Sequence, residues 1–164
     1  MPVQLRIMKP RVYIETTVVS YYAARSSRDL VVAARQQITR EHWARIQAEF
    51  ECYISALVLQ EAEQGDPQAS RERLAAVSKL PVLRIDDAVE ELAWRLVKEG
   101  PLPRQHAEDA LHIALAARNG MDYLLTWNLA HIHNAQMEND IRMVVEQHGY
   151  QCPVICSPDE LLGD

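Results

Sequence analysis

Four positions in this sequence carry oxygen-bearing side chains suited to holding a cation. Glu15 ends the apolar run RVYIE, and Glu61 lies a turn or so into SALVLQEAEQG. Asp109 sits near the start of HAEDALHIALAARNG, and Asn128 follows the run LLT in LLTWN. Val12 and Ile14 read as the buried face of a strand, so a carboxylate at its end is costly unless something answers its charge. Two carboxylates about 4 Å apart repel by about 4 kcal/mol at an effective dielectric of about 20. Three such pairs approach the whole stability of a domain, about 5–15 kcal/mol. The acids therefore stand apart, or some are protonated, or a cation sits among them. Oxygen ligands alone favour Mg2+ or Mn2+. A metal held by carboxylates can activate water and stabilise an in-line displacement at phosphorus, which suits phosphodiester hydrolysis.

The elements that must position these residues follow from pattern. RVYIE predicts a first strand and TVVSYYAA a short helix. RSSRD predicts a turn with Ser26, Ser27 or Asp29 as N-cap. Helical character runs from Leu30 to about Phe50, rich in Ala, Gln, Arg and Glu. ECYIS predicts a second strand, and SALVLQEAEQG a helix closing near Gly65. Asp66 and Pro67 restart a helix as N-cap and first residue. PVLRI, 81–85, predicts a third strand, and Asp86 or Asp87 caps a helix reaching Gly100. PLPRQ reads as a loop, and the helix HAEDALHIALAARNG closes at Asn119-Gly120. DYLLT, 122–126, and PVIC, 153–156, predict the last two strands, and SPDELL carries a capping box. Strands separated by helices predict a three-layer α/β/α Rossmann-like sandwich with a mainly parallel central sheet, as one domain over residues 1–164. Such sheets bind ligands outside the carboxyl ends of their strands. Glu15 and Asn128 sit at such ends, and the first turns of the helices carrying Glu61 and Asp109 share that edge.

Length and composition agree: 164 residues at 48% hydrophobic content suffice for a sizeable core. No window approaches a membrane span, and MPVQLRIMKP has no apolar region of the secretory type. Cys52, Cys152 and Cys156 form an odd set without CxxC spacing, which reads as reduced thiols in a cytoplasmic protein. The net charge of −6 argues weakly against a nucleic-acid partner. Its distribution points the other way. Residues 1–50 hold eight Lys/Arg, Arg6 among them, against four acids, a balance of +4, and the rest carries −10. A basic third on an acidic body suits a phosphate backbone on one side, or it is a set of solvated helix faces.

YIETTVVSYY, YISALVLQE, AEDALHIALA and YLLTWN run in an order and spacing that resemble the PIN-domain family, and within it the VapC-like toxins of type II toxin–antitoxin modules. The resemblance covers almost the whole chain, and DALHIALA followed by LLTWN is its most specific part. It implies a Mg2+-dependent (or Mn2+-dependent) ribonuclease. The family's acidic site falls on Glu15, Glu61, Asp109 and Asn128, as catalytic residues and metal ligands, and Thr126 falls where the family has a Ser or Thr beside the site. It also implies an antitoxin that lays a segment across the site, and a homodimer through Leu30–Phe50 or Tyr13–Ala24. Two departures stand out. Glu15 replaces the usual Asp and adds a methylene. Asn128 replaces a frequent Asp, keeping an oxygen while losing the charge. Asn134, Glu138 or Asp140 are candidate further acceptors.

Other residues admit two readings. Arg25 and Arg28 follow the first helix near the expected mouth of the site, as guanidinium forks for phosphate or as ordinary turn residues. Tyr21, Tyr22 and Trp127 offer faces for bases, though core packing is commoner. Trp43 and Trp94 read as core or partner-facing anchors, and Cys52 as an inert buried thiol. His106, His112, His131 and His133 together would suit a zinc hydrolase. The preferred reading buries the His112 ring as a donor to a backbone carbonyl and leaves His131 and His133 on a surface loop.

Overall fold

A computed structural model describes residues 8–163; Arg6 of the basic third lies outside them. Among these residues five strands form one sheet: β1 (Arg11–Ile14), β2 (Glu51–Ser55), β3 (Val82–Leu83), β4 (Tyr123–Leu125) and β5 (Val154–Cys156). Their order is β3-β2-β1-β4-β5 and every pairing is parallel. Val12, Tyr13, Ile14, Leu124 and Leu125 are wholly buried. Parallel strands covered on both faces lack the polar alternation of half-exposed ones, which is why VYI and YLL read as continuous apolar runs.

Among the described residues eight α-helices cover the sheet: α1 (Thr16–Ala23), α2 (Leu30–Glu49), α3 (Ala56–Ala62), α4 (Pro67–Ala76), α5 (Asp87–Lys98), α6 (Ala107–Arg118), α7 (Glu138–Gln147) and α8 (Pro158–Leu162). Their placement follows from crossover handedness. The chain steps from β1 to β2 to β3 in one direction across the sheet, then from β3 to β4 to β5 in the other. Right-handed crossovers therefore put α1 to α4 on one face and α5 to α7 on the opposite face, giving three layers. Contacts agree: α1 meets α2, α3 and α4, while α5 meets α6 and α7; α8 returns to α2. The direction of winding reverses between neighbouring β1 and β4, so the crevice at their carboxyl ends is the topological switch point where such sheets place ligands.

Several predicted boundaries shift for local reasons. Glu15 leaves the strand to become the N-cap of α1, accepting from Thr17 N. The expected strand at 81–85 shrinks to Val82–Leu83 at the sheet edge, with only β2 beside it among the described residues. Asp29, Asp66 and Asp86 are the caps of α2, α4 and α5. The loop expected at PLPRQ tightens into a 3-10 turn at Arg104–His106. Helix α7 had no counterpart in the sequence reading: its N-cap Met137 offers no side-chain hydrogen bond, yet Ile141, Val144 and Val145 are buried on one helical face.

Candidate active site

Ile14 pairs with Leu125 in register, so Glu15 and Thr126 leave the sheet side by side. Glu15 is only 3% exposed, and its charge is met by three donors. Thr17 N donates to Oε2 at 3.0 Å, while the Thr17 and Thr126 hydroxyls reach Oε1 at 2.5 and 2.6 Å. Thr126 Oγ1 in turn accepts from Asn128 N, and Thr17 Oγ1 from Trp127 N. The segment after β4 is thus tied to the start of α1 through the hydroxyls that hold Glu15.

Glu61 comes from α3 on the neighbouring β2 connection. Its Oε1 accepts from Thr16 Oγ1 and pairs with His112 Nε2, each at 2.6 Å. The buried His112 Nδ1 lies 2.7 Å from Tyr13 Oη, which lies 2.8 Å from Ser55 Oγ, which accepts from Val58 N. With Glu61 ionised and the ring neutral, proton bookkeeping assigns one direction to this chain. Val58 N–H donates to Ser55, Ser55 to Tyr13, Tyr13 to His112, and His112 Nε2–H to Glu61. The expectation that His112 donates to a backbone carbonyl is corrected: the ring is buried as expected, but both nitrogens serve side chains. Burial alone pushes Glu61 up; the hydrogen bonds from the His112 ring and the Thr16 hydroxyl outweigh it and hold the carboxyl below its ordinary value. Burial also raises the Tyr13 phenol well above its ordinary value, with the Glu15 and Glu61 charges adding to it, so Tyr13 stays a hydrogen-bond donor.

Asp109 lies in the first turn of α6. Its Oδ1 accepts from Asn128 Nδ2 at 3.0 Å, while Oδ2 faces His131 Nδ1 at 3.4 Å and His106 Nδ1 at 3.6 Å. Burial is the main cause of its raised carboxyl value; His131, His112 and His106 pull it down, and the Glu61 charge pushes it further up. Asn128 presents its amide to Asp109 and spends Oδ1 on His131 N at 3.1 Å. The oxygen expected to serve as a ligand is therefore engaged within its own loop.

The four acidic-site positions thus form two adjoining groups. Ligand atoms of Glu15, Glu61 and His112 lie within 4.8 Å of one another, and so do those of His106, Asp109 and His131. The first group fits a hard ion. It offers carboxylate oxygens, because both nitrogens of His112 are occupied, and oxygen ligands suit Mg2+ or Mn2+. The hydroxyls around these carboxylates orient them as outer partners of a metal site do.

Residues 12–132 match the family model described as the PIN domain. The chain belongs to the PIN domain family. Among solved structures, this PIN domain is similar to VapBC2 from Rickettsia felis, seen bound to a DNA fragment from its promoter. The identity is 13%, the TM-score 0.57, and the match covers 90% of this chain and 98% of that one. It is also similar to Mycobacterium tuberculosis VapC20, a Sarcin-Ricin loop cleaving toxin, at 16% identity and TM-score 0.55, covering 73% of this chain and 91% of that one. At such identities the likeness is one of fold. Among curated proteins no sequence matches significantly.

Around the PIN carboxylates, other expected residues divide. Arg25 and Arg28 are exposed in the α1–α2 loop, one length of α1, about 12 Å, along the chain from Glu15. The loop is pinned, because Gln36 accepts from Ser27 N and donates to Arg25 O, and Arg40 reaches Ala24 O. Among the described residues no hydrogen bond or ion pair joins either arginine to the acidic groups. Other basic residues of the N-terminal third serve the structure: Lys9 donates to Ala48 O, Arg11 to Asn119 O, and Arg35 lies over Trp127. Trp127 is buried and donates to Thr39, Tyr21 stacks on it, and Tyr22 stacks on buried Trp43. Trp94 is exposed under Arg95 and Lys98. Asn134 binds within its own loop, and Glu138 faces Arg142. The sequence reading missed Thr16, Thr17 and Tyr13. The signal for the threonines was their place after a strand-ending carboxylate; for Tyr13 there was none, since its hydroxyl looks like core.

Proposed function

We propose that this chain, one PIN-like domain over residues 1–164, is a divalent-metal-dependent ribonuclease and the toxin of a type II toxin–antitoxin pair. The observation that carries this reading is the Glu15–Glu61 carboxylate pair at the switch point between β1 and β4, with Asp109 and Asn128 beside it. Glu15, Glu61 and Asp109 would hold Mg2+ or Mn2+, with Asn128 orienting Asp109. When bound, the ion supplies Lewis acidity and a water of lowered pKa at the phosphodiester. The chain's own part is positioning. Thr17 and Thr126 hold Glu15, Thr16 and His112 hold Glu61, and Arg25 and Arg28, presented by a pinned loop, bind flanking phosphates of the RNA. The fold shared with VapC20 and VapBC2 supports RNA as substrate and a cognate antitoxin as partner, with cytoplasmic location and a homodimer as corollaries. Among the described residues no helix is long and apolar enough to cross a membrane.

The test is incubation of structured RNA with purified protein and Mn2+, beside Asp109→Asn. Cleavage by the wild type and none by an equally folded variant supports the reading; RNA left intact by both ends it. One observation favours a second reading, a PIN-fold binding module of weak or no activity. The Glu15 oxygens already take three hydrogen bonds, and Asn128 Oδ1 is occupied. That reading expects RNA retention without cleavage.

A further inference from the structure

We propose that His106, Asp109 and His131 bind one divalent transition-metal ion of the imidazole-preferring class, Zn2+ or Co2+, at a site sharing only Asp109 with the carboxylate centre. The two imidazole Nδ1 atoms face the same oxygen, Asp109 Oδ2, at 3.6 Å from His106 and 3.4 Å from His131. Both separations exceed hydrogen-bond length, about 2.7–3.2 Å for nitrogen and oxygen. They match the edge of a tetrahedron, about 3.4 Å when metal–ligand bonds are about 2.1 Å. All three ligand atoms lie within 4.8 Å of one another. Two nitrogens and one carboxylate are a poor set for Mg2+ and a good one for zinc-like ions.

The surroundings support a built site. Asp109 Oδ1 is held by Asn128 Nδ2, and Asn128 Oδ1 holds the backbone N–H of His131. One amide therefore fixes both the carboxylate and the loop that carries the second imidazole, as outer partners of metal ligands do. His106 ends the turn before α6, Asp109 opens that helix, and His131 lies in the β4–α7 loop. The His106 and His131 rings stack with centroids 3.7 Å apart. Their side chains are 37% and 26% exposed, so the rings can splay about χ2 to aim both Nδ1 lone pairs at one ion. A solvent water completes the fourth position.

The experiment uses untagged, metal-stripped protein. Co2+ is titrated by its visible absorption and Zn2+ by calorimetry. The expected result is a first equivalent bound with a tetrahedral Co2+ spectrum, with His106→Ala and His131→Ala each weakening its affinity at least about tenfold, or about 1.4 kcal/mol. His148→Ala changes the affinity less than about twofold, because His148 pairs with Glu99, outside this ligand set. Saturating Zn2+ raises the melting temperature of the wild type and of His148→Ala more than that of His106→Ala, whose place on a half-exposed turn spares the fold. Unchanged affinity in His106→Ala and His131→Ala, an octahedral spectrum for the first equivalent, or loss of binding in His148→Ala overturns the proposal. No RNA enters the measurement, so this site and the ribonuclease reading fail separately.

Discussion

Glu15 shows how a charge survives at the end of a buried strand. Three donors reach it, two of them threonine hydroxyls that also accept backbone N–H groups from the β4 end. Tyr13 plays the equivalent part for Glu61 at one remove. Tyr13→Phe leaves Ser55 and His112 Nδ1 without their partner, and we expect a loss of about 1–3 kcal/mol, measured by urea denaturation. The two acids also predict opposite pH behaviour. Glu61 is depressed on folding, so its contribution is present above the ordinary carboxyl range and is lost as pH falls through the folded value. Asp109 is raised on folding, so between its ordinary and raised values the native state holds a proton that the unfolded chain has released. Stability falls as pH rises through that window. Asp109→Asn therefore removes a destabilising charge. The metal-free variant should be at least as stable as the wild type at neutral pH, with the difference closing in acid. Urea denaturation at the two pH values reads this directly, and a less stable variant at neutral pH would contradict it.

At the scale of elements, legibility followed the strength of local signals. Helices α4 and α5 were readable because Asp66 and Asp86 cap them, each accepting a backbone N–H. Helix α7 was not, because no side chain caps its N-terminus, although its buried Ile141, Val144 and Val145 keep the helical period. Helix α8 was announced by its capping box, in which Glu160 reaches back to Ser157 N. Ser157→Ala should cost about 1 kcal/mol in thermal or urea melts. Burial raises the Glu160 carboxyl, but Ser157 and His133 outweigh it and the net direction is down. Its stabilisation is thus present above the ordinary carboxyl range and fades as pH falls through the depressed value. Melting curves of the wild type and Glu160→Gln should converge in that acid range; a constant offset would show that the carboxylate adds nothing.

At the scale of the whole molecule, the core shields all three thiols. Burial pushes Cys52 and Cys152 up to about 11 and Cys156 to about 12. Native protein should therefore resist alkylation by iodoacetamide at neutral pH, with all three cysteines reacting once urea unfolds it, as mass spectrometry would count. Rapid labelling of the native state would place a thiol outside the core. From amino-acid order alone came the number and sequence of strands, the parallel sheet and the edge where the acids gather, because periodicity, caps and apolar runs are local properties. Packing decided which groups meet. Thr126 finds Glu15 across 111 residues, and Tyr13 finds His112 across 99. Packing also split the expected quartet into a hydroxyl-held carboxylate pair and an Asp109 flanked by two imidazoles. No local pattern encodes such pairings, because they depend on strand order, register and the reversal of winding between β1 and β4, and these exist only once the sheet has formed.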